Sequence, residues 1–202
     1  MPVISAKRMQ DRIDTIVEAA STVFAAKGFE AASIAEIART ADVSDGLIYR
    51  YFSNKRDLLY RVLQAFYERV VGDLAAETAK GKSFQEKLHQ LIRRHLETFV
   101  ADRGLCRLFL SEVRIASDYR GSAIEALHRR YAAVLTALIE DGIAKGEVKP
   151  EVSARLVRDV IFGAIEHIAW PYVNGDGRLD VAATAATVTA LICGGICLTP
   201  KA

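Results

Sequence analysis

Apolar positions recur at helical spacing along almost the whole chain. Ile13, Val17, Ala20 and Phe24 fall at i, i+4, i+7 and i+11, one stripe of a helix. Lys27-Gly28 closes it, with the glycine after the cap and the lysine charge at the carbonyl end. Ser33-x-x-Glu36 is a capping box that opens a short helix from Ile34 to about Thr40. Ser44 is placed to cap a second short helix running to about Phe52. Asn54 then caps a long helix carrying Leu58, Leu59, Val62, Leu63, Phe66 and Val70, ending near Gly81.

A second capping box, Ser83-x-x-Glu86, starts a helix with Leu88, Leu91, Ile92, His95 and Phe99 on one side. Residues 103–116 read as a shorter helix, with Leu105, Leu108, Phe109 and Val113 inward. From Ala123 the series Leu127, Tyr131, Val134 and Leu138 leads to Gly146. Pro150 suits the first position of the next helix, which carries Val152, Leu156, Val160, Ile161 and Ile165. Asn174-Gly175-Asp176-Gly177 is a loop, and a last helix spans about Leu179 to Leu198. The pattern predicts an all-α chain of about nine helices with no strand. Its texture changes near residue 54: three short helices precede it and longer ones follow. This predicts a small domain of residues 1–54 and a second of residues 55–202.

Composition changes this picture little. Over 202 residues, 51% hydrophobic and 26% charged positions fit a globular chain with a real core. Val181 to Leu198 carries no charge and reaches the lower limit for a membrane span. It is mostly Ala, Thr, Gly and Cys, too small in apolar surface to insert well. A buried or interface helix is expected there, and no membrane association. The three cysteines, Cys106, Cys193 and Cys197, form no CxxC pair, which points away from disulfides and zinc toward a reducing cytoplasm. Met1 to Gln10 lacks the apolar stretch of a secretion signal.

The informative window is Ser33 to Phe52, SIAEIARTADVSDGLIYRYF. Two capped helices stand too close for an ordinary hairpin. Ala38 is small where the second would cross the first, and Asp42 tolerates the left-handed conformation such a turn needs. Ile37, Ala41, Val43, Ile48 and Tyr51 supply the inner contacts of a helix-turn-helix, whose second helix enters the DNA major groove. Ser33 and Ser44 combine a hydroxyl with a helix N-terminus that can hold phosphate. Gly46 allows close approach, Leu47 offers an apolar contact to a thymine methyl, and Tyr49 and Tyr51 offer phenols to phosphate. Arg50 and Lys55 add positive charge. Asp45 either repels phosphate or accepts from cytosine N4.

Charge limits the affinity. The chain as a whole is only +2. Residues 1–56 hold eight basic and seven acidic side chains, a surplus of one, so one such head binds DNA modestly and two are needed.

Over residues 11–60 the sequence resembles the TetR family of bacterial transcriptional regulators. The resemblance rests on Ile16, Ala19-Ala20, Phe24, Lys27-Gly28-Phe29, Ser33 through Ala38, Val43-Ser44, Gly46, Tyr49, Tyr51-Phe52, Lys55 and Leu58-Leu59. Asp42 departs from the family's usual turn glycine, and Asp45 from a position often basic there. The resemblance implies a repressor released from a palindromic double-stranded operator by a small effector. The helix from Asn54 would then transmit the effector's presence by changing the spacing of two DNA-binding heads.

It also implies a homodimer through the last two helices, and here the residues agree on their own. Ala186, Ala190 and Gly194 recur at i, i+4 and i+8, a smooth face for close helix contact, and the preceding helix adds Gly163 and Ala164. Val181, Val188, Leu191 and Ile192 make the apolar remainder. For the effector, Glu112-Val113-Arg114, Tyr131 and Phe162-Gly163 look like TetR-type regulators answering to fatty acyl-CoA. An apolar or acyl-CoA-like effector is the expectation, in a cavity lined by residues drawn from Arg93, Arg94, His95, Phe99, Phe109, Arg114, Tyr131, His167 and Trp170. Each of these, taken singly, also reads as ordinary core or as a solvated charge.

Two other readings compete. Glu86-x-x-His89 and Glu125-x-x-His128 match half of a helical di-iron site. But Glu86 already serves a capping box, and Glu125 sits in a first turn where acids are favoured anyway. A DNA-binding protein without a ligand is the other. No nucleophile constellation, phosphate loop or nucleotide motif is present, so neither enzyme activity, cofactor nor metal is expected.

Overall fold

The computed structural model describes residues 6–78 and 81–198. Among them are nine α-helices, a π-helical turn and one isolated β-bridge, Val148 with Cys197. The helices are α1 (Ala6–Ala31), α2 (Ile34–Thr40), α3 (Asp45–Tyr51), α4 (Lys55–Thr78) and α5 (Phe84–Ala101), then α6 (Arg103–Leu108), α7 (Ala123–Ala144), α8 (Ala154–Asn174) and α9 (Val181–Ile196). The window Met1 to Gln10, read as lacking a secretion signal, falls partly on residues 1–5, outside the described ones. So do residues 79–80, between the observed end of α4 and Gly81.

The chain forms two compact units. One comprises Met1–Phe66 and Gly104–Ile124, the other Tyr67–Arg103 and Glu125–Ala202. The division falls inside α4 at Phe66/Tyr67, not after residue 54, and 104–124 joins the first unit. Apolar contact decides this: Leu58, Leu59, Val62 and Leu63 of α4 are buried in the first unit, as are Leu105, Leu108, Phe109 and Val113.

In the first unit α1 packs on α2, and α2 on α3. Ile16, Ala20 and Phe24 of α1 are buried with Ile37, Ala38 and Ile48, as the period predicts. Gly28 takes φ +82°, ψ 175° and breaks α1, which makes one more turn before Ala31. Asp42 has φ +53°. The Val43 N–H bonds the Ala38 carbonyl at 2.9 Å and the Asp42 N–H bonds Arg39 at 3.3 Å. This is a Schellman closure of α2, with aspartate in the left-handed position usually given to glycine.

In the second unit α5 is the central helix. Leu88, Leu91, Ile92, Leu96 and Phe99 are buried, and both α8 and α9 pack on it. The Ser83 hydroxyl accepts from the Glu86 N–H at 3.2 Å, while Glu86 reaches the Lys82 N–H at 2.8 Å. Pro150 lies in a turn; α8 starts later, at Ala154, with Ser153 as its cap. Asp180 caps α9 through the Ala183 N–H at 3.0 Å. Residues 109–113 form a π-turn in place of a continuous α-helix to 116.

Candidate functional site

The recognition helix α3 is short and two-sided. Ile48 is wholly buried, while its neighbour Tyr49 is 57% exposed. Ser44, Asp45, Gly46 and Arg50 are exposed, and Leu47 and Tyr51 half-buried. Burial on one face thus leaves a polar, aromatic and small-residue face outward, suited to phosphate and base edges.

The two serines differ. The Ser33 hydroxyl accepts from the Glu36 N–H at 3.2 Å, a working cap. Glu36 does not complete the box; its carboxylate pairs with Lys27 at 2.6 Å. Ser44 holds the N-cap position of α3 but makes no side-chain cap bond. Its side-chain capping role therefore falls away, and the residue is exposed.

Lys55 has a different task from the one its sequence position suggests. Its ammonium donates to the carbonyls of Phe29 at 2.8 Å, Ala32 at 3.0 Å and Glu30 at 3.3 Å, and sits 4.4 Å from the Phe29 ring centroid. An ammonium has three protons, and three carbonyls take them. Lys55 closes the C-terminal end of α1, whose carbonyls lack helical partners. Spacing could not reveal this, because the partners lie 23 to 26 residues away.

Sequence reading also missed Arg56. Its guanidinium grips Asp118 in a fork, at 2.8 and 2.6 Å, and donates to the Tyr60 hydroxyl at 3.1 Å. That bond with Arg56 holds the Asp118 carboxyl down at about 2. Burial, foremost, raises Tyr60. The start of α4 is thereby fastened to the 114–122 turns. No local signal links residues 62 apart in sequence.

The expected effector residues divide. Phe99 and Tyr131 are buried in the second unit, whereas Phe109 is buried in the first and Arg114, also of the first, is exposed. His167 and Trp170 do not join Phe99 and Tyr131: both are exposed on α8, Trp170 to 43%. His95, Phe99, Tyr131 and Phe162 do form one cluster, with Phe162 stacked on Tyr131 at 5.7 Å between centroids. Nearby, Tyr67 lies edge-on to Tyr131 at 6.3 Å.

The other surface is apolar. Gly163, Ala186, Ala190 and Gly194 are all exposed, and nothing lies within 4 Å of a Cβ built on Gly163 or Gly194. Leu156 of α8 is 63% exposed and Leu191 of α9 72%. Val188, by contrast, is buried within its own chain. An open groove of about 480 Å³ lies between the start of α5 and α9, lined by His89, Gln90, Ala186, Thr189 and Ala190 among others. Among the described residues no three His, Cys, Asp or Glu side chains gather as a metal site. No helix among them is long and apolar enough to cross a membrane.

A three-helix head with an outward recognition helix, joined to a helical second unit, defines a helix-turn-helix DNA-binding regulator. Residues 16–62 match the bacterial regulatory proteins of the tetR family, and residues 63–195 match the YsiA-like C-terminal region. The chain belongs to the TetR family of bacterial regulatory proteins. It is similar to the fatty acid metabolism regulator protein of Bacillus subtilis, 28% identical over 94% of this chain and 98% of that one. The fatty acid degradation regulator FadR of Bacillus halodurans superimposes with a TM-score of 0.79 at 31% identity, covering 90% of this chain and 98% of that one. The B. subtilis FadR solved in complex with stearoyl-CoA gives 0.81 at 29% identity, with 91% and 98% covered.

Proposed function

We propose that this regulator is a cytoplasmic homodimeric repressor that binds a palindromic operator and releases it on binding a long-chain acyl-CoA, and that it is not an enzyme. The observation that carries the effector class is the end-to-end likeness to a regulator solved with stearoyl-CoA. The buried rings around Tyr131 support it, because an acyl chain needs apolar walls. The dimer reading is supported by the exposed apolar face of α8 and α9.

The DNA-reading set becomes Ser33, Ser44, Asp45, Gly46, Leu47, Tyr49, Arg50 and Tyr51. Two recognition helices would occupy successive major grooves, roughly 34 Å apart. The chain passes between its two units within α4, and the Arg56–Asp118 fork fixes that helix's first turn. An acyl-CoA that binds the DNA-incompetent arrangement better would shift the population away from the operator.

The test is release of operator DNA, identified by selection from genomic fragments and followed by fluorescence anisotropy. Stearoyl-CoA is expected to release it at micromolar concentration, and CoA alone to leave it bound. Retention of the operator in saturating stearoyl-CoA would overturn the effector class.

Within the recognition helix, two substitutions should separate affinity from specificity. Tyr49→Phe removes a hydroxyl offered to phosphate, so binding should weaken by severalfold, about 1 kcal/mol, alike on every sequence. Leu47→Ala should instead relax preference at one thymine-bearing position, by about 1–3 kcal/mol at most. A randomised-site selection reads both; an altered preference for Tyr49→Phe, or an unaltered one for Leu47→Ala, contradicts the assignment.

A further inference from the structure

The inward stripe of α5 is leucine, isoleucine and phenylalanine except at His95, a half-buried residue. That imidazole lies among the rings of Phe162, Phe99 and Tyr131, with centroids at 4.9, 5.3 and 5.3 Å. Its Nδ1 is hydrogen-bonded to the Tyr131 hydroxyl. Its Nε2 is buried and has no hydrogen-bond partner among the described residues. A phenylalanine would fill the same space with no polar atom left over. A buried polar atom without a partner is a standing cost to the fold, and such departures mark sites that act on something else.

The chemistry of the pair sets what that something is. Burial, and then the charge of His128, push His95 down to about 3, so the ring is neutral at any physiological pH. A neutral imidazole carries one N–H. Phenol is the stronger acid and imidazole nitrogen the stronger base, so Tyr131 donates to Nδ1 and the proton sits on Nε2. The free group is a donor, fixed in direction by Tyr131 and surrounded by aromatic rings. Its complement is an acceptor oxygen within an apolar ligand. A carboxylate is a poor complement, since a neutral ring among apolar walls does not balance its charge. A carbonyl is a good one.

We propose that His95, oriented by Tyr131, is the group that recognises the thioester carbonyl of the acyl-CoA effector. The inference rests on the acyl-CoA reading and deepens it: the protein senses the activated thioester, not the fatty chain alone.

Titration calorimetry of the full-length wild type with stearoyl-CoA and with the thioether S-octadecyl-CoA, which lacks only the carbonyl oxygen, tests it. The wild type is expected to bind the thioester about tenfold more tightly, the worth of one well-placed hydrogen bond. His95→Phe is expected to bind both ligands alike, with thermal stability equal to or above wild type. Tyr131→Phe, which frees the imidazole to turn, should lose part of the discrimination. Equal wild-type affinity for the two ligands overturns the inference without touching the acyl-CoA reading, and needs no variant to fold. Discrimination surviving in His95→Phe overturns it likewise. Failure of the wild type to bind either CoA ligand overturns both.

Discussion

Ala190→Glu is expected to convert the protein to a folded monomer that has lost its operator. In one chain Ala190 is exposed on α9, so a glutamate there meets solvent and leaves helix and core intact. In the proposed dimer the same position lies in a seam of Ala186, Ala190 and Gly194, where two-fold symmetry brings in one carboxylate from each subunit. An unpaired buried charge costs several kcal/mol, so the dimer dissociation constant should rise by about 100-fold or more. Operator binding should fall with it, because a head with a surplus of one positive charge makes too few phosphate contacts alone. Analytical ultracentrifugation and anisotropy read the two effects. A wild type that is monomeric at micromolar concentration yet binds its palindrome tightly would return α9 to a single-chain role.

Gly104→Ala should destabilise the first unit through one added methyl group. A Cβ on Gly104 would stand 2.4 Å from the Ala25 carbonyl oxygen, 2.7 Å from its Cα and 2.7 Å from its Cβ. Two of these are backbone atoms, so no rotamer change relieves the clash; α6 must move off α1. Overpacking of this kind costs about 1–3 kcal/mol. At roughly 2–4 °C per kcal/mol for a chain of this size, the melting temperature should drop by several degrees. Circular dichroism checks it, and an unchanged melting temperature would mean that α6 does not approach α1 so closely. The sequence marks Gly104 only as one glycine early in a helix, where flexibility alone would favour alanine.

Local physics explains which features were legible from the chain. The helical period, the caps at Ser33, Asn54 and Ser83, and the left-handed Asp42 all depend on residues within about five positions. These follow from backbone hydrogen bonding and side-chain spacing, and the structure has them in place. The outward small-residue face of α9 was legible for the same reason: a run without charge must find apolar cover. Element ends were less so. Pro150 suits a first turn, yet Ser153 supplies the side-chain oxygen that starts α8.

What the amino-acid sequence determined by itself is the all-α architecture, the helix-turn-helix with its outward residues, and the family. Each is written in short-range spacing. The tertiary structure alone decided which charges are paired within the chain and which buried polar atoms lack a partner among the described residues. Lys55 turned out to be spent on three carbonyls of another helix, Arg56 on an aspartate far along the chain, and His167 and Trp170 faced outward. For His95, a candidate effector residue on the inward side of α5, the tertiary structure showed a nitrogen with no partner among the described residues, set among three rings. Hydrogen-bond partnership and burial are properties of neighbours in space, and in these cases the neighbours came from distant parts of the chain.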